Sequence, residues 1–373
     1  MTREETQALL DKLNKAKIGG EDGGGMNGFG SDLSLNAHVK FGIPSRIPEL
    51  DLSIGRPGFP AGRIMEFYGL PMSGKTTAAL HALAQCQRMG GLAVLIDTEL
   101  SFDYDRAVAC GVDPETLMLL EARDTEEIFE KINVILDSRP ASPESPVLIA
   151  VDSITAVQTR FDSAREIKEG TRVGEHARAI RIGLQRLNQK IAESQASLIF
   201  INHATALIGK TFGKQTDSAG GNAIKFYSSI RIEFQFVSNI NEGAKGEDRV
   251  RRGQVSNLNI IKNKVAATGA PSISLELTEF GFDFYSSLWD AYIKIGALEK
   301  INNQSYHFMP TETTMGKKDW KTFVDTFTNK EGRVLGPDGF YKHFLTMATN
   351  DGFIKPYGSR NDSRNVSKPD SES

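Results

Sequence analysis

Cysteine is almost missing from this chain. Cys86 and Cys110 are the only two in 373 residues, too few for a disulfide framework or for a metal site of their own, and this usage suits a reducing cytoplasm. Both read as small core residues on helices. No run comes near the roughly 18 apolar residues of a membrane-spanning helix. The charged opening Met1-Thr-Arg-Glu-Glu-Thr lacks the apolar stretch of a secretory signal, so the expectation is a cytoplasmic protein. Excess charge is missing too: the formal net charge of −3 excludes a globally cationic, histone-like binder, and any contact with nucleic acid must come from local basic clusters. No histidine–cysteine cluster, serine triad or internal repeat offers a competing chemistry.

The chain does hold a regular alternation of apolar runs and helical segments. Strands are expected at Ile64–Tyr68, Leu92–Asp97, Leu117–Leu120, Val147–Asp152 and Leu198–Asn202, with helices between them near Lys75–Met89, Phe102–Cys110, Thr125–Asp137 and Glu175–Ser194. Continuous apolar strands separated by helices indicate an α/β fold with a mainly parallel sheet covered on both faces. Ile230–Phe236, Leu258–Lys262 and Ser272–Leu277 follow without long helices and read as an antiparallel extension. Residues 1–54 form an N-terminal helix and arm whose stretch Gly19–Gly30 carries seven glycines. Such a helix has little to pack on in its own subunit, which favours contact with a neighbour. Residues 55–285 are the core, 286–357 a small α+β piece with Trp289 and Trp320, and 358–373 a polar tail expected to be disordered.

Gly69-Leu-Pro-Met-Ser-Gly-Lys-Thr76 follows a strand and opens a helix, as a phosphate-binding loop must. Its glycines let backbone N–H groups turn inward around phosphates, and the helix N-terminus adds partial positive charge. The expected nucleotide contacts are Gly69, Pro71, Met72, Ser73, Gly74, Lys75, Thr76 and Thr77. Lys75 can reach the β- and γ-phosphates, and Thr76 can ligate Mg²⁺. Val147-Leu-Ile-Ala-Val-Asp152 supplies a carboxylate at a strand end, expected to hold Mg²⁺ through water. Leu95-Ile-Asp-Thr-Glu99 ends another strand with two carboxylates, and Glu99 is the expected general base that orients the attacking water. ATP and Mg²⁺ are the implied cofactors.

From about Gly55 to Tyr285 these stretches resemble the RecA family. Gly62-Arg-Ile-Met-Glu-Phe-Tyr-Gly69, Gly220-Gly-Asn-Ala-Ile-Lys-Phe-Tyr227 and Ile261-Lys-Asn-Lys264 are each similar to family segments in the family's order. The C-terminal piece resembles phage UvsX-type recombinases more loosely, through Leu288-Trp-Asp-Ala-Tyr292, Gly296 and Gly352-Phe-Ile-Lys-Pro356. The resemblance implies a RecA-like P-loop ATPase core with an N-terminal polymerisation arm. It further implies a homo-oligomeric helical filament on single-stranded DNA, DNA-dependent ATP hydrolysis, and homologous pairing and strand exchange with duplex DNA. Single-strand-binding and loader proteins are the implied partners. A hexameric helicase or a regulatory ATPase is the alternative on the same core.

By the same resemblance, Lys262 and Lys264 reach a neighbouring subunit's nucleotide, and Phe226 couples subunits. Two loops, near 161–178 and 203–221, bind DNA through Arg172, Val173, Arg178, Ile208, Gly220, Gly221 and Asn222, with Val173 and Ile208 wedging between bases. Residues 163–190 hold seven basic against three acidic side chains, and Ala177, Ile180, Leu184, Leu187 and Ile191 form a core-facing stripe that leaves Arg178 and Arg181 elsewhere. His203 stands where bacterial members sense the γ-phosphate with glutamine. Arg106 replaces a tyrosine that stacks on adenine, and a guanidinium can stack as well. Asp103 is expected to accept from the adenine amine. Thr205 and Ala219 depart from the family's basic and hydroxyl residues, and the tail lacks an acidic run.

Overall fold

The computed structural model describes residues 4, 6–8, 11, 39–138, 141–164, 174–206, 216–242, 250–266, 272–328 and 333–357. A short antiparallel pair, β1 (Gly42–Ile43) and β2 (Phe59–Pro60), precedes the central mixed sheet. That sheet begins with β3 (Ile64–Gly69), β4 (Leu92–Asp97), β5 (Leu117–Glu121), β6 (Val147–Asp152) and β7 (Ser197–Ala206), all parallel. β8 (Thr216–Ser218) pairs antiparallel with β7. β9 (Ile230–Glu242) runs parallel to β3, and β10 (Val250–Asn263), β11 (Ile273–Thr278) and β12 (Gly281–Phe282) extend the sheet antiparallel. The spatial order is β12-β11-β10-β9-β3-β7-β6-β4-β5.

Period-two alternation explains why both faces are covered. Ala93 and Leu95, Leu148 and Ala150, and Ile199 and Ile201 enter one buried cluster with helix α2 (Lys75–Arg88). Val94 and Ile96, Ile149 and Val151, and Leu198 and Phe200 enter a second cluster with α4 (Thr125–Ser138) and α6 (Glu175–Ser194). The stripe on α6 buries Ile180, Leu184, Leu187 and Ile191, while Arg178 and Arg181 are exposed, as their spacing predicts. Cys86 and Cys110 are buried free thiols.

The segment before the core departs from expectation. Residues 39–54, assigned from sequence to a subunit-contacting arm, are buried: Ile43, Ile47, Leu50 and Ile54 sit in the first cluster, the last three on α1 (Pro48–Ile54) or just before it. Ile43, Ile47, Leu50 and Ile54 are apolar and pack whatever precedes them in the chain. This segment also ties the core to the C-terminal piece. Glu49 N donates to Ser287 Oγ at 3.1 Å, Arg46 N to Tyr341 Oη at 3.0 Å, and the Arg56 guanidinium to the carbonyls of Lys355 and Pro356. The C-terminal piece has its own aromatic core around Trp289, Tyr292, Phe308, Trp320 and Phe340, built from α8 (Phe284–Lys294), a three-stranded antiparallel sheet, α9 (Trp320–Thr326) and α10 (Gly336–Asn350). Among the described residues no helix is long and apolar enough to cross a membrane.

Candidate functional site

The parallel strands deliver their C-terminal ends to one edge, the position where open α/β sheets bind ligands. Register aligns Gly69 with His203 and Asp97 with Asp152. The loop after β3 turns sharply. Met72 and Gly74 take positive φ values of 59° and 100°, and a Cβ at Gly69 would lie 2.2 Å from the Phe234 carbonyl oxygen. Gly74 then caps α2, whose first residues are Lys75, Thr76 and Thr77.

Lys75 is buried, and its ammonium donates to the Leu70 carbonyl at 2.8 Å. Ser73 Oγ donates to the same carbonyl at 2.8 Å. Burial lowers the Lys75 pKa, and the negative fields of Asp152 and Glu99 oppose that shift, so the three groups converge. Thr76 Oγ1 donates to Asp152 Oδ2 at 2.6 Å. Burial pushes Asp152 up to about 6, against the hydrogen bond from Thr76. The pair fits Mg²⁺, which takes hard oxygen donors. The loop fits a polyphosphate: it leads into a helix N-terminus, and its buried cation Lys75 is the first residue of that helix.

Glu99 Oε1 and His203 Nε2 lie 2.8 Å apart, so the expected base and the expected phosphate sensor touch each other. Asp97, two residues earlier, is a scaffold: its carboxylate accepts from the backbone N–H groups of Glu99, Ser101 and Phe102, fixing the turn that aims Glu99.

Arg106 and Asp103 have different partners. Arg106 lines the pocket of about 400 Å³ beside the phosphate loop. Its guanidinium is fixed by the carbonyls of Thr278 at 2.6 Å and Glu279 at 2.8 Å, and by Thr77 Oγ1 at 3.1 Å. Such a clamped planar group is a wall against which a base can stack. Asp103 is not among the residues lining the pocket; its Oδ1 accepts from Arg106 N as the N-cap of α3 (Tyr104–Ala109). An aspartate three residues before a helical N–H caps by default, and the cap uses one carboxylate oxygen, Oδ1.

Sequence reasoning missed the opposite wall. Arg251, Arg252 and Gln254 line the same pocket. Gln254 Nε2 donates to the Met72 carbonyl at 2.7 Å, and its Oε1 accepts from Arg251 at 2.7 Å, so β10 braces the loop's tip. Only the adjacent pair of arginines in a strand hinted at this. A buried polar chain was also missed. Glu66 on β3 pairs with Arg231 on β9 and accepts from Asn202 at 3.0 Å, and Arg231 reaches Asp217 and Ser218 on β8. Asp217 also pairs with Lys225 at 2.8 Å.

Lys262 and Lys264 lie at the other end of the strands. Lys262 pairs in register with Arg231, and Arg231 with Glu66, which is three residues before Gly69. That places the pair roughly 10 Å back along the strand from their own phosphate loop and two strands away. The Lys262 ammonium donates to the carbonyls of Lys225 at 2.5 Å and Phe226 at 3.0 Å, at the end of α7 (Asn222–Tyr227). Lys264 stands 5.8 Å from the Phe226 ring, which is 71% exposed. Burial, then the charges of Lys264 and Arg231, lowers the Lys262 pKa to about 8. The β-bulge at Ile260/Lys262 changes the pleat, yet the lysines remain neighbours.

Of the expected nucleic-acid contacts, Arg178 is exposed in the first turn of α6. Gly220 and Gly221 have positive φ, and Cβ atoms there would meet Thr155 and Ala177; Asn222 is exposed at the start of α7. Arg172, Val173 and Ile208 lie outside the described residues.

The family described as the RecA N-terminal domain matches residues 28–277. Curated proteins named Protein RecA are similar to this chain. That of Nocardioides sp. is 35% identical over 300 residues, 80% of this chain and 82% of that protein. That of Mycoplasma mobile is 36% identical over 239 residues, 64% and 68% of the two. That of Porphyromonas gingivalis is 36% identical over 224 residues, 60% of this chain, and the match spans only 63% of that protein's length.

Proposed function

The chain belongs to the RecA family, and from that premise we propose that it is a DNA-dependent ATPase and recombinase that forms helical filaments on single-stranded DNA and promotes pairing and strand exchange with homologous duplex. One observation carries the reading. The phosphate loop and the Lys262–Lys264 pair lie toward opposite edges of the same sheet, at the C-terminal end of β3 and level with its start, with the pair beside an exposed Phe226. Lysines so placed do not serve their own nucleotide. They complete the site of a second copy stacked against them, and repetition of that contact gives a filament.

ATP is the substrate. Thr76 and Asp152 would hold Mg²⁺, which when bound neutralises charge on the β- and γ-phosphates. Lys75 leaves the Leu70 carbonyl for the phosphates. Glu99 accepts the proton of the attacking water, and the Lys262–Lys264 pair of the adjacent subunit stabilises the charge developing on the transferred group. His203, hydrogen-bonded to Glu99 and continuous through β7 with the loop after Ala206, links the nucleotide to that loop. Arg178 and the turn Gly220–Asn222 contact the DNA strand, along with Arg172, Val173 and Ile208. Residues 1–38 serve as the subunit-contacting arm.

Electron microscopy with single-stranded DNA and a slowly hydrolysed ATP analogue tests this. Helical filaments are the expected result. Closed rings would indicate a hexameric helicase-type motor instead, and beaded or absent complexes would overturn the recombinase reading.

A further inference from the structure

The turn Thr278–Gly281 between β11 and β12 is a wall with two sides. On one side the carbonyls of Thr278 and Glu279 hold Arg106 at the nucleotide pocket. On the other, Thr278 and Phe280 face a second pocket of about 470 Å³, between the core and the C-terminal piece. Small-molecule sites typically enclose about 300–1,000 Å³.

Three cations line this second pocket: Arg46, Arg88 and Lys321. Arg46 is paired with Asp338 and stacked 4.1 Å over the Phe284 ring, which fixes it in place. Arg88 and Lys321 are exposed and, among the described residues, form no ion pair with a carboxylate. The one carboxylate in the lining, Asp283, accepts from Ser286 N as the cap of α8. The cations converge from different elements: burial, then the positive fields of Arg46, Arg106 and Arg88, lowers His81 at the pocket's buried wall to about 3. Between them stand aromatic faces, with Phe280 at the lip 69% exposed.

We propose that this pocket is a second nucleotide site, separate from the phosphate loop, which takes a mononucleotide or nucleoside diphosphate with its phosphate between Arg88 and Lys321 and its base on Phe280. Cations without carboxylate partners supply the charge-assisted hydrogen bonds a phosphate needs, and an exposed ring supplies the stacking face. Because the turn is shared, a ligand that immobilises Phe280 also fixes the carbonyls that clamp Arg106. Occupancy of the second pocket then bears on the wall of the first. The site does not depend on hydrolysis at the phosphate loop.

Equilibrium dialysis of the full chain against radiolabelled ADP, without DNA, tests the proposal. The parent should bind two ADP per chain, and Lys75→Ala one. Arg88→Ser/Lys321→Ser, both on the surface, should also bind one, the loop site remaining. In the Lys75→Ala background the double substitution should weaken the residual binding by roughly tenfold to a hundredfold. Phe280→Ala should weaken it by about tenfold for ADP while leaving inorganic pyrophosphate unaffected. A single ADP per parent chain at saturation overturns the site, as does residual binding indifferent to Arg88 and Lys321. Equal effects of Phe280→Ala on pyrophosphate and ADP overturn the assignment to a nucleotide. If the double variant binds ADP like the parent but loses affinity for a short duplex, the cations serve DNA and the proposal fails. Lys75→Ala retaining both ADP would count against the phosphate-loop reading alone.

Discussion

The two ends of the central strands are built on different principles. At the C-terminal end every functional group has a partner within the chain: Lys75 on the Leu70 carbonyl, Thr76 on Asp152, and Glu99 on His203. At the other end Lys262 and Lys264 crowd like charges together beside an aromatic ring left in solvent. The first end is organised before any ligand arrives. The second holds Lys262 on two backbone carbonyls only, a setting that an anion would make more favourable. In the filament proposed above, one chain would carry a finished half-site and an unfinished one, and a second copy of the chain would supply what each lacks.

The largest effect should come from the finished end. Lys75→Ala removes the loop's buried cation, and ATP binding measured by dialysis in the Arg88→Ser/Lys321→Ser background should weaken by roughly a hundredfold, the worth of about 2–3 kcal/mol for hydrogen bonds to a charged group. Binding within a fewfold of the parent would show that the loop is not where the phosphates sit. Glu99→Gln keeps shape and the contact to His203 while removing the proton acceptor. ATP and DNA binding should persist, and turnover should fall on the order of 10²–10⁴-fold. Near-parental turnover in the purified variant would remove Glu99 from the chemistry.

The difference between the ends also marks what could be read from the sequence. Val147–Asp152, Leu92–Asp97 and Glu175–Ser194 are bounded as their apolar patterns predict, because buried parallel strands and a two-faced helix leave regular signatures. The phosphate loop is contiguous, so its residues announce themselves. What the sequence hides is assembled across strands. Gln254 braces Met72 from 182 positions away, and Glu66 meets Arg231 only because β3 and β9 pair in parallel register. Residues 39–54 misled for another reason: a glycine-rich stretch invites the reading of an arm, whereas burial is decided by Ile43, Ile47, Leu50 and Ile54.

The unfinished end can be tested by dividing the two halves between variants. Lys262→Ala/Lys264→Ala should bind ATP through its own loop and hydrolyse it at least about tenfold more slowly on DNA, since charge stabilisation in the transition state is lost. Lys75→Ala fails for the opposite reason. Mixed filaments set some intact loops against intact lysine pairs, so DNA-stimulated ATPase activity should partly return. No return, with co-filaments visible by microscopy, would mean that the two ends do not meet across subunits.

The smallest effect is a shift in pH dependence, and it probes the unfinished end most directly. In the single chain, burial lowers Lys262 to about 8, and Lys264 and Arg231 add to the shift while Glu66 opposes it. The sign follows: Lys262 is charged below that pH and neutral above it, so a reaction that needs its charge loses rate as pH rises. A phosphate from the adjacent subunit favours the charged form and moves the loss upward. The DNA-stimulated rate should therefore have an alkaline limb above about 8, displaced further upward at saturating ATP. Lys264→Ala removes the neighbouring like charge and should move the limb upward again, at a lower rate throughout. Lys262→Arg, whose guanidinium stays protonated across this range, should abolish the limb, with a modest loss of rate at neutral pH because the fork and the ammonium differ in geometry. The readout is the limb rather than the rate, which separates a charge acting on phosphate from a lysine that merely holds the end of α7 through the carbonyls of Lys225 and Phe226. An unchanged limb in Lys262→Arg would leave Lys262 with only that structural role.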